Sequence, residues 1–294
     1  MEVGVLFSLF RQVVKPLTGK GLGRLPLVRR LFHLLYRWLA PKGIILIKVG
    51  EHKMYVDTRD TVFAPLLLTR GSWERGTTRL FKDIIQKGMV VLDIGANIGY
   101  FTLIAAKLVG EEGRVFAFEP EPYNFSLLVR NIKLNGYHNV IPTQIAISDK
   151  NGRAVIFLDK TRWTHHSLSR ANVTNFSGNS VEVDVQTLDD FLKDFGHRVD
   201  FAKIDVEGAE LAVIQGMENI IESNKNLKLV VEFSPEGLRC FGSSPQEFLN
   251  RLMGYGFKLY QISEGKERIV PVDITSLVGR YQRGGVTNLL ATRT

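Results

Sequence analysis

The sequence is poor in cysteine and has no long apolar run. Its 294 residues include one cysteine, Cys240, so the chain cannot form an internal disulfide. This favours a reducing compartment and argues against a small disulfide-stapled secreted domain. Charged residues interrupt every apolar run well before the roughly 20 residues that a membrane-spanning helix needs. Residues 3–10 also lack the flanking features of a signal peptide, so we expect a cytoplasmic protein.

Basic charge is concentrated at the start of the chain. Residues 1–50 hold nine Lys and Arg and one acidic residue, Glu2, whereas the remainder holds 29 basic and 29 acidic residues. A neutral body lacks the basic face that nucleic-acid binding requires, so no nucleic-acid partner is expected. The basic segment is expected to meet an anionic partner, including the cytoplasmic face of a membrane.

Two amphipathic helices are predicted within this basic segment, residues 1–43. Their apolar stripes comprise Val3, Leu6, Phe7, Phe10, Val13 and Val14 in the first helix and Leu27, Leu31, Leu34, Leu35 and Trp38 in the second. One interpretation is that the stripes pack on the rest of the protein or on a second copy, which would give an oligomer. The other is peripheral membrane contact through residues 1–40, with Trp38 at the interface.

Strands and helices alternate from residue 89 onward. The predicted strands span residues 89–94, 114–119, 140–147, 200–205 and 228–233, and two later strands span 256–263 and 285–293. The predicted helices span residues 98–108, 122–135, 187–194, 209–221 and 245–254. This alternation is typical of an α/β fold in which helices cover both faces of a mostly parallel sheet.

Three further segments complete the predicted organisation. Residues 44–57 predict a β-hairpin, and residues 62–87 predict helices that break near Gly71 and Gly76. Together they form a lead-in, residues 44–88, to a domain that spans residues 89–294. An insert at residues 152–186 interrupts the alternation with two strand-like stretches around a polar loop.

Acidic residues end or follow all five of the first predicted strands. They are Asp93, Glu119, Asp149, Asp205 and Glu232. Ligands of open parallel sheets bind at the carboxyl ends of the strands. We therefore expect these side chains to meet at one edge of the sheet and to form a functional site there.

The turn in "VVLDIGANIGYFT", residues 90–102, discriminates between cofactors. A dinucleotide fingerprint needs G-x-G-x-x-G so that the backbone can approach a pyrophosphate, whereas this turn has Gly95-x-x-x-Gly99 with Asn97 between them. Asp93 would repel a pyrophosphate and would favour a cationic group. Glu119 is placed to accept hydrogen bonds from ribose hydroxyls. These features favour S-adenosylmethionine and disfavour a nicotinamide-dependent oxidoreductase.

Five motifs carry a resemblance to a known family. They are "VVLDIGANIGYFTLIAA", "VFAFEPEPYNFSLLVRNIKLN", "AISDKNG", "TLDDF" and "FAKIDVEGAELAVIQG". In this order and spacing the chain resembles the FkbM-type family of S-adenosylmethionine-dependent methyltransferases over roughly residues 44–262. The resemblance implies a class I methyltransferase (Rossmann-like) sheet of seven strands with the last one antiparallel. It also implies O-methylation of a sugar, polyketide or lipid-like hydroxyl.

The resemblance and the strand ends together name the candidate site residues. The expected cofactor contacts are Asp93, Gly95, Ala96, Asn97, Gly99, Glu119, Ala146, Ser148, Asp149 and Asp205. The candidates for a group that removes the hydroxyl proton are Asp205, Glu207, Glu232, His165 and His166. Glu207 could instead cap the following helix, and the two histidines could belong to a solvated loop. No metal-ligand spacing occurs among the histidines and the cysteine, so no metal is predicted.

The expected partner is a small-molecule, glycan or lipid-linked acceptor. Besides the oxidoreductase, one alternative from another class stays open at this point. It is a module that binds the cofactor or a membrane without catalysis.

Overall fold

A computed structural model describes residues 5–14, 26–263, 268–282 and 284–293. It divides into two compact units, one of residues 1–74 with 161–164 and the other of residues 75–160 with 165–294. The domain boundaries predicted after residues 43 and 88 stay predictions. Val3 of the predicted first apolar stripe lies outside the described residues.

The described residues of the first unit form three helices and a hairpin. Its elements are α1 (Val5–Val14), α2 (Pro26–Leu39), β1 (Ile44–Val49), β2 (His52–Asp57) and α3 (Phe63–Arg70). β1 and β2 pair antiparallel, which confirms the predicted hairpin. Asp60 fixes the start of α3, because its Oδ1 accepts hydrogen bonds from the N–H groups of Val62, Phe63 and Ala64.

The second unit is built on an eight-stranded sheet. Its strands are β3 (Val90–Ile94), β4 (Arg114–Phe118), β5 (Val140–Thr143), β9 (Phe201–Ile204), β10 (Lys228–Phe233), β11 (Lys258–Ser263), β12 (Arg268–Pro271) and β13 (Thr287–Thr292). The strand order is β12-β11-β13-β10-β9-β3-β4-β5. The run from β10 to β5 is parallel, while β13 is antiparallel to both its neighbours. The predicted fold class is confirmed, with β12 as an eighth strand at the edge.

Helices cover the sheet, and a second, smaller sheet lies within the same unit. The helices are α4 (Arg75–Ile84), α5 (Tyr100–Val109), α6 (Pro122–Leu134), α7 (Leu188–Leu192), α8 (Glu210–Gln215), α9 (Glu218–Ser223), α10 (Pro235–Cys240), α11 (Pro245–Gly254) and α12 (Ile274–Tyr281). The smaller sheet comprises β6 (Ala146–Ile147), β7 (Gly152–Asp159) and β8 (Phe176–Gln186). Among the described residues, no helix combines the length and apolar character that crossing a membrane requires.

The central strand β9 shows why a short apolar run forms a strand here. All four residues of β9 are buried, because β3 and β10 flank it and helices cover the sheet. Phe201 is fully buried and its ring lies 4.9 Å from the ring of Phe81. A continuous buried strand of this kind anchors the sheet at the position from which the site residues emerge.

The structure corrects the strand predicted at residues 140–147. Its first half is β5, at the edge of the main sheet, and its last two residues form β6 in the smaller sheet. Pro142 lacks a backbone N–H and therefore suits an edge strand rather than a central one. The chain leaves the main sheet after Thr143, so Asp149 follows a strand of the smaller sheet rather than a strand of the main one.

Two helix predictions also need correction. Gly71 ends α3 with a left-handed φ of 69°, as predicted, and the break runs to Arg75, so Gly76 is the buried second residue of α4 and not itself part of the break. The helix predicted at residues 209–221 is two helices, α8 and α9. α8 ends at Gln215, and the N–H of the following Gly216 donates to the carbonyl of Ala212.

Truncation of Phe201 tests the central position of β9. We expect Phe201→Ala to lower the free energy of unfolding by about 3–5 kcal/mol, because it leaves a cavity in the core. Phe195→Ala is the matched control, since its ring is half exposed, and should cost about 1 kcal/mol or less. Denaturant-induced unfolding measures both, and equal losses would contradict the arrangement.

Candidate active site

The turn after β3 is held in a conformation that requires glycine. Gly95, Asn97 and Gly99 have left-handed φ values of 81°, 50° and 96°. A Cβ atom on Gly95 would lie 1.8 Å from the carbonyl oxygen of Asp205. The turn therefore packs directly against the backbone at the end of β9, and the first glycine of the Gly95-x-x-x-Gly99 spacing has a steric cause.

Glu119 lies at the end of β4 and ties the same turn to that strand. One carboxylate oxygen accepts a hydrogen bond from the N–H of Asn97 at 2.8 Å, and the other accepts from the N–H of Glu121 at 2.9 Å. The side chain is buried, and burial raises the pKa of Glu119 to about 8. The structure thus places a buried carboxyl group beside the turn, where the sequence predicted it.

Asp93 and Lys203 form a buried pair of opposite charge beneath the turn. They are cross-strand neighbours on β3 and β9, and both are nearly inaccessible. Burial raises the pKa of Asp93, while Lys203 and a 2.5 Å hydrogen bond from Thr102 oppose that rise. The second carboxylate oxygen of Asp93 has no hydrogen-bond partner among the described residues.

Lys203 also holds the end of its own strand. Its Nζ donates to Asp205 Oδ2 at 2.6 Å and lies 4.8 Å from the centroid of the Phe101 ring. The lysine thus lies between Asp93 and Asp205 and partly balances their charge. The structure thus brings a buried cation into contact with one of the predicted carboxylates.

Three carboxyl groups meet at the ends of β9 and β10. Asp205, Glu207 and Glu232 each offer an oxygen atom within 4.8 Å of the others. Such oxygens can hold a divalent cation, but acidic groups also cluster without one. The absence of a metal stays a prediction. Three of the five predicted catalytic residues therefore lie close together.

The backbone of Glu207 is strained, and the insert holds it in place. Its φ is 52°, in the left-handed region that non-glycine residues seldom adopt. Its carbonyl oxygen accepts hydrogen bonds from Ser167 Oγ at 3.0 Å and from Asn172 Nδ2 at 2.6 Å. Strain of this kind persists only where surrounding contacts fix it, and it is common at functional sites.

Glu207 is not the N-cap residue of α8. That position is Ala209, which makes no side-chain capping hydrogen bond. Glu210 Oε1 accepts hydrogen bonds from the N–H groups of Val206 and Gly208, both at 3.1 Å, in the turn that precedes α8. Burial raises the pKa of Glu210 to about 7. A direct role for Glu207 in the chemistry stays a prediction.

The two histidines of the insert have different environments. His165 Nδ1 lies 3.8 Å from Glu207 Oε1. His166 Nδ1 instead accepts a hydrogen bond from the N–H of Asp159, and burial lowers the pKa of His166 to about 4. His165 thus faces the acidic cluster, while His166 is neutral and engaged within the insert.

Three of the predicted cofactor contacts, Ala146, Ser148 and Asp149, lie in and after β6. Ala146 and Ser148 are buried, whereas Asp149 is exposed and accepts a hydrogen bond from Ser148 Oγ at 3.0 Å. Asp149 is not one of the three clustered carboxylates, Asp205, Glu207 and Glu232, and it follows a strand of the smaller sheet. Its contact with a cofactor stays a prediction.

Sequence analysis missed three residues that support the site. Ser167 and Asn172 hold the Glu207 carbonyl, and Glu210 accepts hydrogen bonds from the turn before α8. No sequence pattern singles out Asn172. Glu210 had a usable signal, since it lies in "DVEGAE" directly before the apolar residues of α8.

Comparison with known proteins agrees with this geometry. The family model described as Methyltransferase FkbM domain matches residues 93–259, more than half of the chain. The chain belongs to the FkbM methyltransferase family. The matched range begins at Asp93 and includes the Gly95 turn, Glu119 and the acidic cluster at the ends of β9 and β10.

Individual relatives match the FkbM chain over part of their length. Methyltransferase 1 of Beauveria bassiana is 30% identical in an alignment of 149 residues that covers 44% of this chain and 58% of that protein. Hexuronic acid methyltransferase AglP of Haloferax volcanii is 29% identical over 153 residues, 51% of this chain and 59% of AglP. The chain thus spans less than two thirds of these relatives. The crystal structure of Trm5b from Pyrococcus abyssi shares 18% identity, with a TM-score of 0.43, over 85% of this chain and 55% of that one.

Two alanine substitutions test the contact between Gly95 and Asp205. Both Gly95 and Gly136 have left-handed φ values, but a Cβ on Gly136 would meet nothing within 4 Å. We expect Gly136→Ala to cost about 1 kcal/mol of unfolding free energy from backbone strain alone. Gly95→Ala should cost about 3 kcal/mol or more, because it adds a steric clash with backbone. Similar losses in denaturant unfolding would contradict the close approach.

Proposed function

We propose that this FkbM-family chain is an S-adenosylmethionine-dependent O-methyltransferase that acts on a hydroxyl of a glycan, lipid-linked or polyketide-like acceptor. The observation that carries the proposal is the juxtaposition at one edge of the sheet. The glycine turn with Glu119 beside it lies next to the cluster of Asp205, Glu207 and Glu232.

The residues of the turn suit S-adenosylmethionine. Glu119 is a buried acceptor for ribose hydroxyls, and Asp93 retains an oxygen without a hydrogen-bond partner in the described chain. The acidic surroundings favour a cationic ligand and disfavour a pyrophosphate. Gly95, Ala96, Asn97 and Gly99 would line the methionine and ribose part. When bound, S-adenosylmethionine supplies an already activated methyl group.

The acceptor hydroxyl must lose its proton as the new bond forms, and Glu207 with His165 is best placed to take it. The two side chains are 3.8 Å apart, and both are partly exposed to a ligand. Asp205 already accepts a hydrogen bond from Lys203, which makes this carboxylate less available as a base. His166 is disfavoured as a base because its pKa is low. Glu232 stays a third candidate through its place in the cluster. The remaining task of the site is to orient the acceptor oxygen.

The acceptor class is supported by one relative and by charge. AglP is named as a methyltransferase of hexuronic acid, which favours a sugar acceptor. Residues 51–294 carry no net charge, which disfavours a nucleic-acid acceptor. The insert contains His165, and its Ser167 and Asn172 donate hydrogen bonds to the backbone carbonyl of Glu207. The insert is therefore well placed to select the acceptor.

Two other functions compete with this proposal. A nicotinamide oxidoreductase is disfavoured because Asn97, with its side chain, stands where a dinucleotide turn has its second glycine. A non-catalytic binding module is disfavoured because Glu207 is kept in a strained conformation by two hydrogen bonds from the insert. Neither alternative explains the cluster at the strand ends.

Glu119 makes the affinity for S-adenosylmethionine depend on pH. Its pKa is raised to about 8 before the ligand binds, so the carboxylate is the minor form below pH 8 and the major form above it. We expect Glu119→Gln to weaken binding about 10–100-fold at pH 9, because hydrogen bonds to charged groups are worth about 1.5–3 kcal/mol. The loss should shrink at pH 6.5, where the wild-type group is largely neutral.

Isothermal titration at the two pH values measures this effect. The exposed Glu182→Gln is the control and should leave the affinity unchanged. The proposed role of Glu119 would be wrong if Glu119→Gln lost the same factor at both pH values, or lost nothing.

Substitution of Glu207 tests the proposed base. We expect Glu207→Gln to lower methyl transfer about 10²–10⁴-fold, the usual contribution of a positioned base, with cofactor affinity within about twofold of wild type. Asn172→Ala should give a smaller loss of kcat, because it frees the Glu207 carbonyl. Asn179→Ala, an exposed asparagine of the same insert, is the matched control. Unchanged transfer by Glu207→Gln would remove this residue from the mechanism.

The transfer assay also tests the acceptor class. The full chain is incubated with methyl-labelled S-adenosylmethionine and cell extract, after which sugar, lipid, protein and RNA fractions are separated. We expect the label in the sugar or lipid fraction, in an alkali-stable ether linkage. Label confined to protein or RNA would overturn the proposed acceptor, and no label in any fraction would favour the non-catalytic alternative.

A further inference from the structure

The two N-terminal helices expose an unusual amount of apolar surface. Nine of the sixteen large hydrophobic side chains that are exposed in the described chain belong to α1 and α2. They are Leu6, Leu9, Val13, Leu27, Val28, Leu31, Leu34, Leu35 and Trp38. Trp38 is 86% exposed and Leu27 is 78% exposed. Concentrations of this kind mark interaction surfaces, whereas single exposed hydrophobic residues are ordinary.

Each helix has a second apolar face that is already covered. Phe7 and Phe10 on α1 are buried and contact Tyr36 and Phe32 on α2, with ring centroids 6.0 and 5.8 Å apart. The stripes predicted from the sequence therefore divide between two faces. The inner faces pack helix against helix, and the exposed residues form what we call the outer faces.

The outer faces have helical spacing. Leu6, Leu9 and Val13 are separated by three and four residues on α1, so they share one side of that helix. On α2 the outer face comprises Leu27, Val28, Leu31, Leu34, Leu35 and Trp38. An amphipathic helix of a globular protein turns such a stripe toward a core, but these six side chains are exposed.

Charge identifies the occupant of these faces. Residues 1–50 carry nine basic residues and one acidic residue, and the side chains of Arg30, Lys42 and Lys48 are exposed. A second copy of this chain would bring the same positive charge to the contact. An anionic lipid surface offers the opposite charge for the basic side chains and an acyl layer for the apolar ones.

Helix length determines how the segment would lie. α2 spans about 21 Å, which is short of the roughly 30 Å hydrocarbon core of a bilayer. A helix of this length with an apolar and a basic side lies in the plane of the interface. Trp38 has the amphipathic ring that is enriched at the level of the lipid headgroups.

We propose that the outer faces of α1 and α2 dock on an anionic lipid bilayer. This surface is separate from the proposed methyl-transfer chemistry and does not depend on it. Docking would place the chain at a membrane, where a lipid-linked acceptor would be concentrated. The docking itself does not depend on which acceptor the site uses.

Vesicle sedimentation of the full chain tests the proposal. The protein is mixed with vesicles of phosphatidylcholine alone or of phosphatidylcholine with phosphatidylglycerol. We expect strong binding to the mixed vesicles and weak binding to the neutral ones, with loss of binding at high salt because screening removes the electrostatic part. Equal binding to both kinds of vesicle, or to neither, would overturn the assignment.

Paired variants distinguish vesicle binding through the outer faces from nonspecific binding through other exposed apolar residues. Leu31→Glu with Trp38→Glu should weaken binding to mixed vesicles about tenfold or more, because each places a charge in the acyl layer. Met253→Glu with Ile269→Glu, at exposed positions of the other unit, should leave binding unchanged. Circular dichroism checks folding, and Trp38→Ala serves if the double variant unfolds.

Sedimentation without vesicles tests the competing occupant. A concentration-dependent dimer that Leu31→Glu with Trp38→Glu dissolves would show that a second copy covers the outer faces, and would overturn the lipid proposal. A monomer that binds only the mixed vesicles is the expected result.

Discussion

The site depends on a backbone contact between two neighbouring parallel strands. Gly95 approaches the carbonyl of Asp205 so closely that no side chain fits between them, and the N–H of Asp205 donates to the carbonyl of Ile94 at 3.0 Å. Because β3 and β9 pair in this register, the cofactor turn and the acidic cluster form at one place. The strained φ of Glu207 follows two residues later, where the insert holds its carbonyl.

Buried charge gives this site its chemical character. The site holds three buried carboxyl groups, Asp93, Glu119 and Glu210, but only one neighbouring buried cation, Lys203, among the described residues. Burial raises the pKa of all three carboxyl groups. Such a site resists an anionic ligand and gains from a cationic one. Binding of a sulfonium compound would therefore favour the ionised carboxylates, which couples the protonation of the protein to its ligand.

Much of the main sheet could be predicted because β3, β4, β9 and β10 are short apolar runs that are buried on both faces. Prediction from the sequence failed where contacts between residues distant in the chain determine the structure. The departure of β6 from the main sheet depends on its pairing with β8, and the hold of Asn172 on Glu207 joins residues 35 apart. Periodicity found one apolar stripe per N-terminal helix, but it could not divide the stripes into covered and exposed faces.

The central claim is that the Gly95 turn holds a cationic, phosphate-free adenosine cofactor. Isothermal titration of the full chain with S-adenosylmethionine and, separately, with NAD tests it most directly. The account predicts saturable binding of S-adenosylmethionine with one site per chain and no detectable binding of NAD. Tight binding of NAD, with none of S-adenosylmethionine, would contradict it.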